Sequence, residues 1–220
     1  MRTIDYRLNA IVDASLIDVA DLPDLAALAA QNGATLIQYR DKASSTRLMI
    51  ERAGAIRAAL AATGVPFVIN DRVDVALAAG ADGVHLGADD MEADTARLLL
   101  GPEAIIGLTV KNTADAERAG RAPVNYACIG GVFETVSKLN PTAPVGLHGL
   151  RQLRQTIRSL NPVLPVGAIA GITLETVPDV VSAGADGVAA ISALFRTGDI
   201  AGSVVAFRAH IDCALQERQA

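Results

Sequence analysis

Short apolar runs rich in Val, Ile or Leu recur along the chain, each followed by polar residues and then a longer stretch of helix-forming composition. Residues 8–12, 35–39, 66–69, 83–86, 104–107, 125–129, 163–168 and 187–191 have the length and composition of buried strands. The intervening stretches 47–62, 91–100, 150–159 and 173–182 have helical composition. Strands alternating with helices predict a parallel sheet wrapped by helices.

The phrase Ala79, Gly80, Ala81, Asp82, Gly83, Val84 returns unchanged 104 residues later as Ala183, Gly184, Ala185, Asp186, Gly187, Val188. Each copy ends a helical stretch on glycine, turns, and enters a strand. Four strand–helix units lie between the copies, about 26 residues each, so 220 residues hold about eight. Eight units close a (β/α)8 TIM barrel, and the expectation is an α/β fold with one such domain over residues 1–220. An open doubly wound sheet is disfavoured, since no G-x-G-x-x-G follows the first strand and no Walker sequence is present.

Composition narrows the function. Hydrophobic residues at 51% supply a barrel interior and helix faces. A formal charge of −5 with no basic block gives no pull toward nucleic acid, and 3% aromatics without Trp leave few platforms for stacking bases. Arg2, Asp5 and Arg7 interrupt the first ten residues, so no secretory leader is expected, and apolar runs are cut before membrane-spanning length, as at Asp186. Cys128 and Cys213 form neither a disulfide framework nor a metal spacing; Cys128 reads as a small buried hydrophobe. A cytoplasmic protein is expected, with small phosphorylated molecules as partners rather than nucleic acid or membrane. Self-association into a homo-oligomer is left open.

In a parallel barrel the chemistry gathers where strands run out. Gln38, Arg40 and Lys42 follow one another at period two, so while strand geometry lasts they project to one side and bring two cations to the mouth. Unpaired charge there is costly, which argues for a bound anion, against the alternative of ion pairs with Asp41 or a neighbouring helix. Asn70 and Asp71 follow the third strand, and Asp89 and Asp90 the fourth. Carboxylates delivered together call for a hard cation such as Mg²⁺; the alternative, a helix N-cap, is the role expected of Asp89. The loop from Gly130 through Thr135 and Ser137 to Lys138 mixes flexible backbone, hydroxyls and a cation, and reads equally as an anion-closing loop or a solvent loop. Small residues around Gly171, and Ile191 with Ser192, occupy the seventh and eighth loops, the recurrent phosphate site of such barrels. His85 reads as a hydrogen-bonded core residue, and His148 and His210 have no recognisable partners.

In order, Gln38, Tyr39, Arg40, Asp41 and Lys42; Val68 to Asp71; Gly83 to Asp90; Thr135 to Lys138; and Gly187 to Ser192 resemble the motifs of thiamine-phosphate synthases across nearly the whole chain. The resemblance implies an Mg²⁺-dependent transferase. It joins hydroxymethylpyrimidine diphosphate to hydroxyethylthiazole phosphate, with pyrophosphate leaving from a carbocation-like pyrimidine methylene. Gln38, Arg40, Lys42 and Asn70 would then hold the pyrimidine diphosphate, with Thr109 near it. Asp71 and Asp90 would ligate Mg²⁺, and Lys138 would clamp the leaving pyrophosphate. Thr135, Ser137, Gly171, Ile191 and Ser192 would bind the thiazole phosphate. Arg40, Lys42 and Lys138 would supply the catalytic charge, and Arg40→Ala and Asp71→Ala would cost turnover far more than stability.

Three positions depart from the pattern: Ala170 replaces a glycine, Ala88 stands where Gln is common, and Thr109 replaces Ser. Ala170 would crowd the phosphate if its backbone must adopt positive φ. Two rivals remain. A thiazole tautomerase looks like the same barrel but typically carries His after the fifth strand, where this chain has Lys111; a noncatalytic phosphate-binding sensor would lack a use for metal ligands.

Overall fold

The computed structural model describes residues 3–135 and 143–219. Eight parallel strands close on themselves in chain order: β1 (Leu8–Asp13), β2 (Leu36–Arg40), β3 (Phe67–Asn70), β4 (Gly83–Leu86), β5 (Ile105–Val110), β6 (Tyr126–Ile129), β7 (Val166–Ile169) and β8 (Gly187–Ala190). The seam joins β1 to β8 in the register Leu8↔Val188. The helices are α1 (Leu22–Gln31), α2 (Thr46–Leu60), α3 (Val73–Ala79), α4 (Ala93–Leu100), α5 (Thr113–Arg121), α6 (Gly146–Leu160), α7 (Val177–Ser182), α8 (Ser192–Phe195) and α9 (Ile200–Gln219). The TIM barrel expected from the alternation is the observed fold. Among the described residues no helix is long and apolar enough to cross a membrane.

The repeated phrase has a mechanical role. Asp82 accepts a hydrogen bond from the Phe67 N–H at 2.9 Å while its own N–H donates to Phe67 O at 2.8 Å. Asp186 brackets Val166 in the same way, at 2.9 and 2.7 Å. Each aspartate therefore pins the entry of its strand to the entry of the preceding one, fixing the register of the closed sheet. The glycines that follow leave room for close approach: a Cβ on Gly83 would lie 1.8 Å from Ile105 O, and one on Gly187 2.0 Å from Tyr6 O.

Alternation along each strand separates two cores. Leu8, Ala10 and Val12 pack outward against helices, whereas Ile11, Leu36, Val68, Ile105, Tyr126 and Cys128 fill the barrel with Tyr6. The Tyr6 and Tyr126 rings meet at 4.6 Å. Their space is provided by Gly167 and Gly107, where a Cβ would lie 1.8 Å from the Tyr6 ring and 2.0 Å from the Tyr126 ring. This plug closes the interior and leaves a hollow toward the C-terminal ends of the strands.

Some predicted bounds shift. The seventh strand begins at Val166 rather than 163, since Val163 is 82% exposed and lies outside the barrel. The stretch 173–182 opens as a 3₁₀ turn, Leu174–Thr176, closed by a reciprocal Thr173–Thr176 cap before α7 starts with Pro178 in its first turn. Helix α4 is preceded by Glu92 as N-cap, so Asp89, exposed four residues before the helix, does not have the capping role expected of it.

Candidate active site

A cavity of about 610 Å³ opens at the C-terminal ends of the strands. Of the residues predicted from sequence, Gln38, Arg40, Asn70, Thr109, Thr135, Gly171, Ile191 and Ser192 line it. They come from six different strand ends or following loops, gathered by closure of the barrel. Ser137 and Lys138 lie outside the described residues.

The period-two reading of the second strand holds for Gln38 and Arg40, whereas Lys42, two residues past the end of β2, does not line the cavity. Gln38 and Arg40 face the cavity, while Tyr39 and Asp41 turn outward into the helical layer. Asp41 does not pair with Arg40 or Lys42. Its carboxylate accepts from Tyr39 Oη and Arg52 Nη1, both at 2.8 Å, and from the N–H groups of Ala43 and Ser44 at 3.1 and 3.0 Å. Burial opposes its charge, but the Ser44 and Ala43 N–H groups and the Tyr39 hydroxyl outweigh it and hold the carboxyl at about 2. This anchor fixes the loop from which Arg40 and Lys42 project.

Arg40 has a partner of its own. Its Nη1 donates to Asp13 Oδ2 at 2.5 Å, across the β1–β2 register that sets Asp13 beside Arg40. Asp13 is buried and also accepts from the N–H and hydroxyl of Ser15 at 2.9 and 2.6 Å. A bound anion is thus not required to neutralise Arg40, although the guanidinium still borders the cavity.

Lys42, Asp71 and Asp90 form a cluster beside the cavity. The Lys42 ammonium pairs with the Asp71 carboxylate. Asp71 adopts φ +64°, in the left-handed region, and its N–H donates to His85 O at 2.8 Å. Asp90 folds back to accept from the Gly87 N–H at 2.7 Å. Its carboxyl is held above the ordinary carboxylate range, first by burial and then by the adjoining Asp71 carboxylate, with Lys42 acting in the opposite sense. Among the described residues no group of three or more His, Cys, Asp or Glu side chains gathers for a metal. Two close oxygen donors still suit Mg²⁺, which takes one or two carboxylates and completes its shell with water and substrate phosphate.

The cavity also exposes residues to which the sequence reading gave no role in the site. Tyr6, Asn9, Lys111 and Glu134 line it, as does His85, whose ring nitrogens lie 3.0 Å from Tyr126 Oη and 2.9 Å from Thr109 Oγ1. The structural reading of His85 holds, and the histidine in addition orients the Thr109 hydroxyl. Cys128 is buried at the wall, its thiol pushed up to about 12 by burial, in keeping with its reading as a small hydrophobe. The signal for Asn9 was present: an amide inside an otherwise apolar run, two positions before Ile11 on the inward face.

On the opposite side the β6 and β7 loops are stitched together, with the Val132 N–H donating to Ile169 O at 3.2 Å and the Phe133 N–H to Ala170 O at 3.1 Å. Ala170 has φ +95° and Gly171 φ +64°, so the departure noted at Ala170 falls on strained backbone. A Cβ on Gly171 would lie 2.2 Å from Glu134 O.

Residues 8–194 match the sequence profile described as thiamine monophosphate synthase. The chain is 67% identical to thiamine-phosphate synthase of Agrobacterium fabrum over all of both chains. It is 41% identical to that of Chloroflexus aurantiacus over 94% of this chain and 93% of the other. Among solved structures, thiamine phosphate pyrophosphorylase from Pyrococcus furiosus superposes with a TM-score of 0.82 at 33% identity, covering 96% of this chain and 98% of that one.

Proposed function

The chain belongs to the thiamine monophosphate synthase family, and from that premise we propose which of its side chains carry each part of the reaction. The protein is a thiamine-phosphate synthase in activity, condensing hydroxymethylpyrimidine diphosphate with hydroxyethylthiazole phosphate to give thiamine phosphate and pyrophosphate. The observation that carries the assignment of roles is the cavity itself: it is bordered by Arg40 and Asn70 on one side and by Thr135, Gly171, Ile191 and Ser192 on the other, with Thr109 between. Two anionic substrates need two such walls.

The pyrimidine diphosphate is held by Gln38, Arg40, Lys42 and Asn70. Asp71 and Asp90 would hold Mg²⁺, which when bound neutralises charge on the diphosphate oxygens. As the methylene C–O bond breaks, pyrophosphate leaves with the bonding pair, and the ring nitrogen of the thiazole then donates its pair to the methylene carbon. No enzymic nucleophile takes part. Arg40, Lys42 and Lys138 stabilise the charge that develops on the departing group, and preorganised donors in a walled site act without solvent reorganisation. Thr135, Ser137, Gly171, Ile191 and Ser192 hold the thiazole phosphate so that its nitrogen faces the reacting carbon.

The test is an assay of both substrates with and without Mg²⁺, reading thiamine phosphate and pyrophosphate. Stoichiometric release of both, lost on chelation and restored by Mg²⁺, is the expected result. Conversion of thiazole precursors with no pyrophosphate would favour the tautomerase, and tight binding without product the sensor.

A further inference from the structure

Among the described residues, four buried side-chain atoms have no hydrogen-bond partner, and two of them, Asn9 Oδ1 and Gln38 Nε2, belong to residues that line the cavity. A buried polar atom left unpaired costs about 1–3 kcal/mol, so a pair of them on one wall implies a ligand that completes them. Asn9 is 1% exposed and Gln38 2%. The Asn9 amide nitrogen reaches Tyr6 Oη at 3.5 Å, which turns its oxygen away from that hydroxyl. His85, by contrast, has both ring nitrogens engaged within the protein.

The two residues lie diagonally across neighbouring strands, Asn9 one inward-facing position deeper than Gln38. Ile11 pairs with Gln38 across β1 and β2, and Asn9 precedes Ile11 by two residues on the same face. Gln38 in turn lies two residues below Arg40, roughly 7 Å along the strand at about 3.3 Å per residue. The wall thus reads, from depth to mouth, as a neutral acceptor and a neutral donor followed by a cation. An anionic group is unsuited to the deep end, where Asn9 presents an oxygen. A neutral heteroaromatic ring with an N–H donor beside a ring-nitrogen acceptor, and a phosphate tail pointing outward, matches all three.

Resting on the synthase reading above, we propose that Asn9 is a specificity-determining residue whose Oδ1 accepts a hydrogen bond from the exocyclic amino group of the pyrimidine substrate, while Gln38 addresses the neighbouring ring nitrogen. A site built around such a bond rejects a ligand lacking it, because the buried acceptor is then left unpaired.

The experiment measures binding by calorimetry in the presence of Mg²⁺ and without the thiazole, so that electronic effects of the amino group on bond breaking do not enter. The ligands are the pyrimidine diphosphate and its analogue with hydrogen in place of the amino group. Wild-type protein is expected to prefer the amino compound by about tenfold or more, the worth of about 1.4 kcal/mol. Asn9→Leu should reduce that preference to about twofold, with KM for the thiazole phosphate unchanged in turnover assays. Asn9→Ala, which cannot clash, should do the same. Equal affinity of wild-type protein for the two ligands would overturn the assignment without any variant, as would variants that keep the wild-type preference. Wild-type protein that makes no thiamine phosphate would instead overturn the underlying activity, so the two failures are distinct.

Discussion

Arg40 and Asp13 face each other across the first two strands, Nη1 to Oδ2 at 2.5 Å, with the aspartate side chain fully buried. This pair changes what is expected of Arg40→Ala. Removing the guanidinium strands a buried carboxylate, a loss on the order of 3–5 kcal/mol. The variant should therefore lose substantial stability as well as turnover, contrary to the expectation from sequence that turnover would suffer far more than stability. Adding Asp13→Ala removes the stranded charge, so the double variant should recover part of the lost stability in denaturant unfolding while remaining inactive. Recovery of both would mean that Arg40 serves only the fold.

Asp71→Asn behaves differently. Asparagine tolerates the left-handed backbone at φ +64°, and losing one carboxylate relieves the repulsion that raises Asp90. Melting temperature should hold or rise, whereas turnover at fixed Mg²⁺ falls at least ~100-fold, the scale of losing a stabilising group in a charged transition state. Asp90→Asn should act in the same direction. Excess Mg²⁺ should restore part of the turnover of each single variant and none of the double.

The barrel was legible because its cause is periodic: eight apolar runs, and a phrase repeated four units apart whose aspartates turn out to pin neighbouring strand entries. Gln38 and Arg40 were legible for the same reason, since alternation fixes which side chains face inward. Pairing across strands was not legible. Asp13 meets Arg40 because β1 and β2 adopt a particular register, which neither strand's own sequence specifies. Asn9 and Glu134 were given no role because each is a single polar residue with no chemical partner nearby in sequence, and Lys111 entered only as the residue standing where a tautomerase carries His. Asp89 misled because an aspartate near a helix start is a common cap, and here the helix begins three residues after Asp90.

Asp41 offers a pH test of the loop anchor. Its carboxyl is held at about 2 in the folded protein against an ordinary value near 3.9. A depressed value means that stability is fully present above the unfolded value and is lost as pH falls through the folded one. The contribution is on the order of 2 kcal/mol. The stability gap between wild-type protein and Asp41→Asn should then be constant above pH ~5 and close between about 4 and 2. A gap that stays open at pH 2 would place the effect of the substitution in packing instead of charge.

Ala170 and Gly171 give the sharpest contrast, since adjacent positive-φ residues should respond in opposite ways. Ala170→Gly removes a side chain from φ +95°, where left-handed backbone costs an L-residue about 1–2 kcal/mol. Glycine also gives the unfolded chain more freedom, a loss of about 0.4–1 kcal/mol, so net stability should move little. The gain should appear at the ligand: KM for the thiazole phosphate falls severalfold while KM for the pyrimidine diphosphate, bound on the opposite wall, is unchanged. Gly171→Ala must instead push a methyl group to 2.2 Å from Glu134 O, separating the β6 and β7 loops that Phe133 and Ala170 hold together. Its KM for the thiazole phosphate should rise at least ~10-fold, about 1.4 kcal/mol of lost binding. If Ala170→Gly raised that KM as well, the methyl group would be part of the phosphate pocket and the strained backbone would be its support.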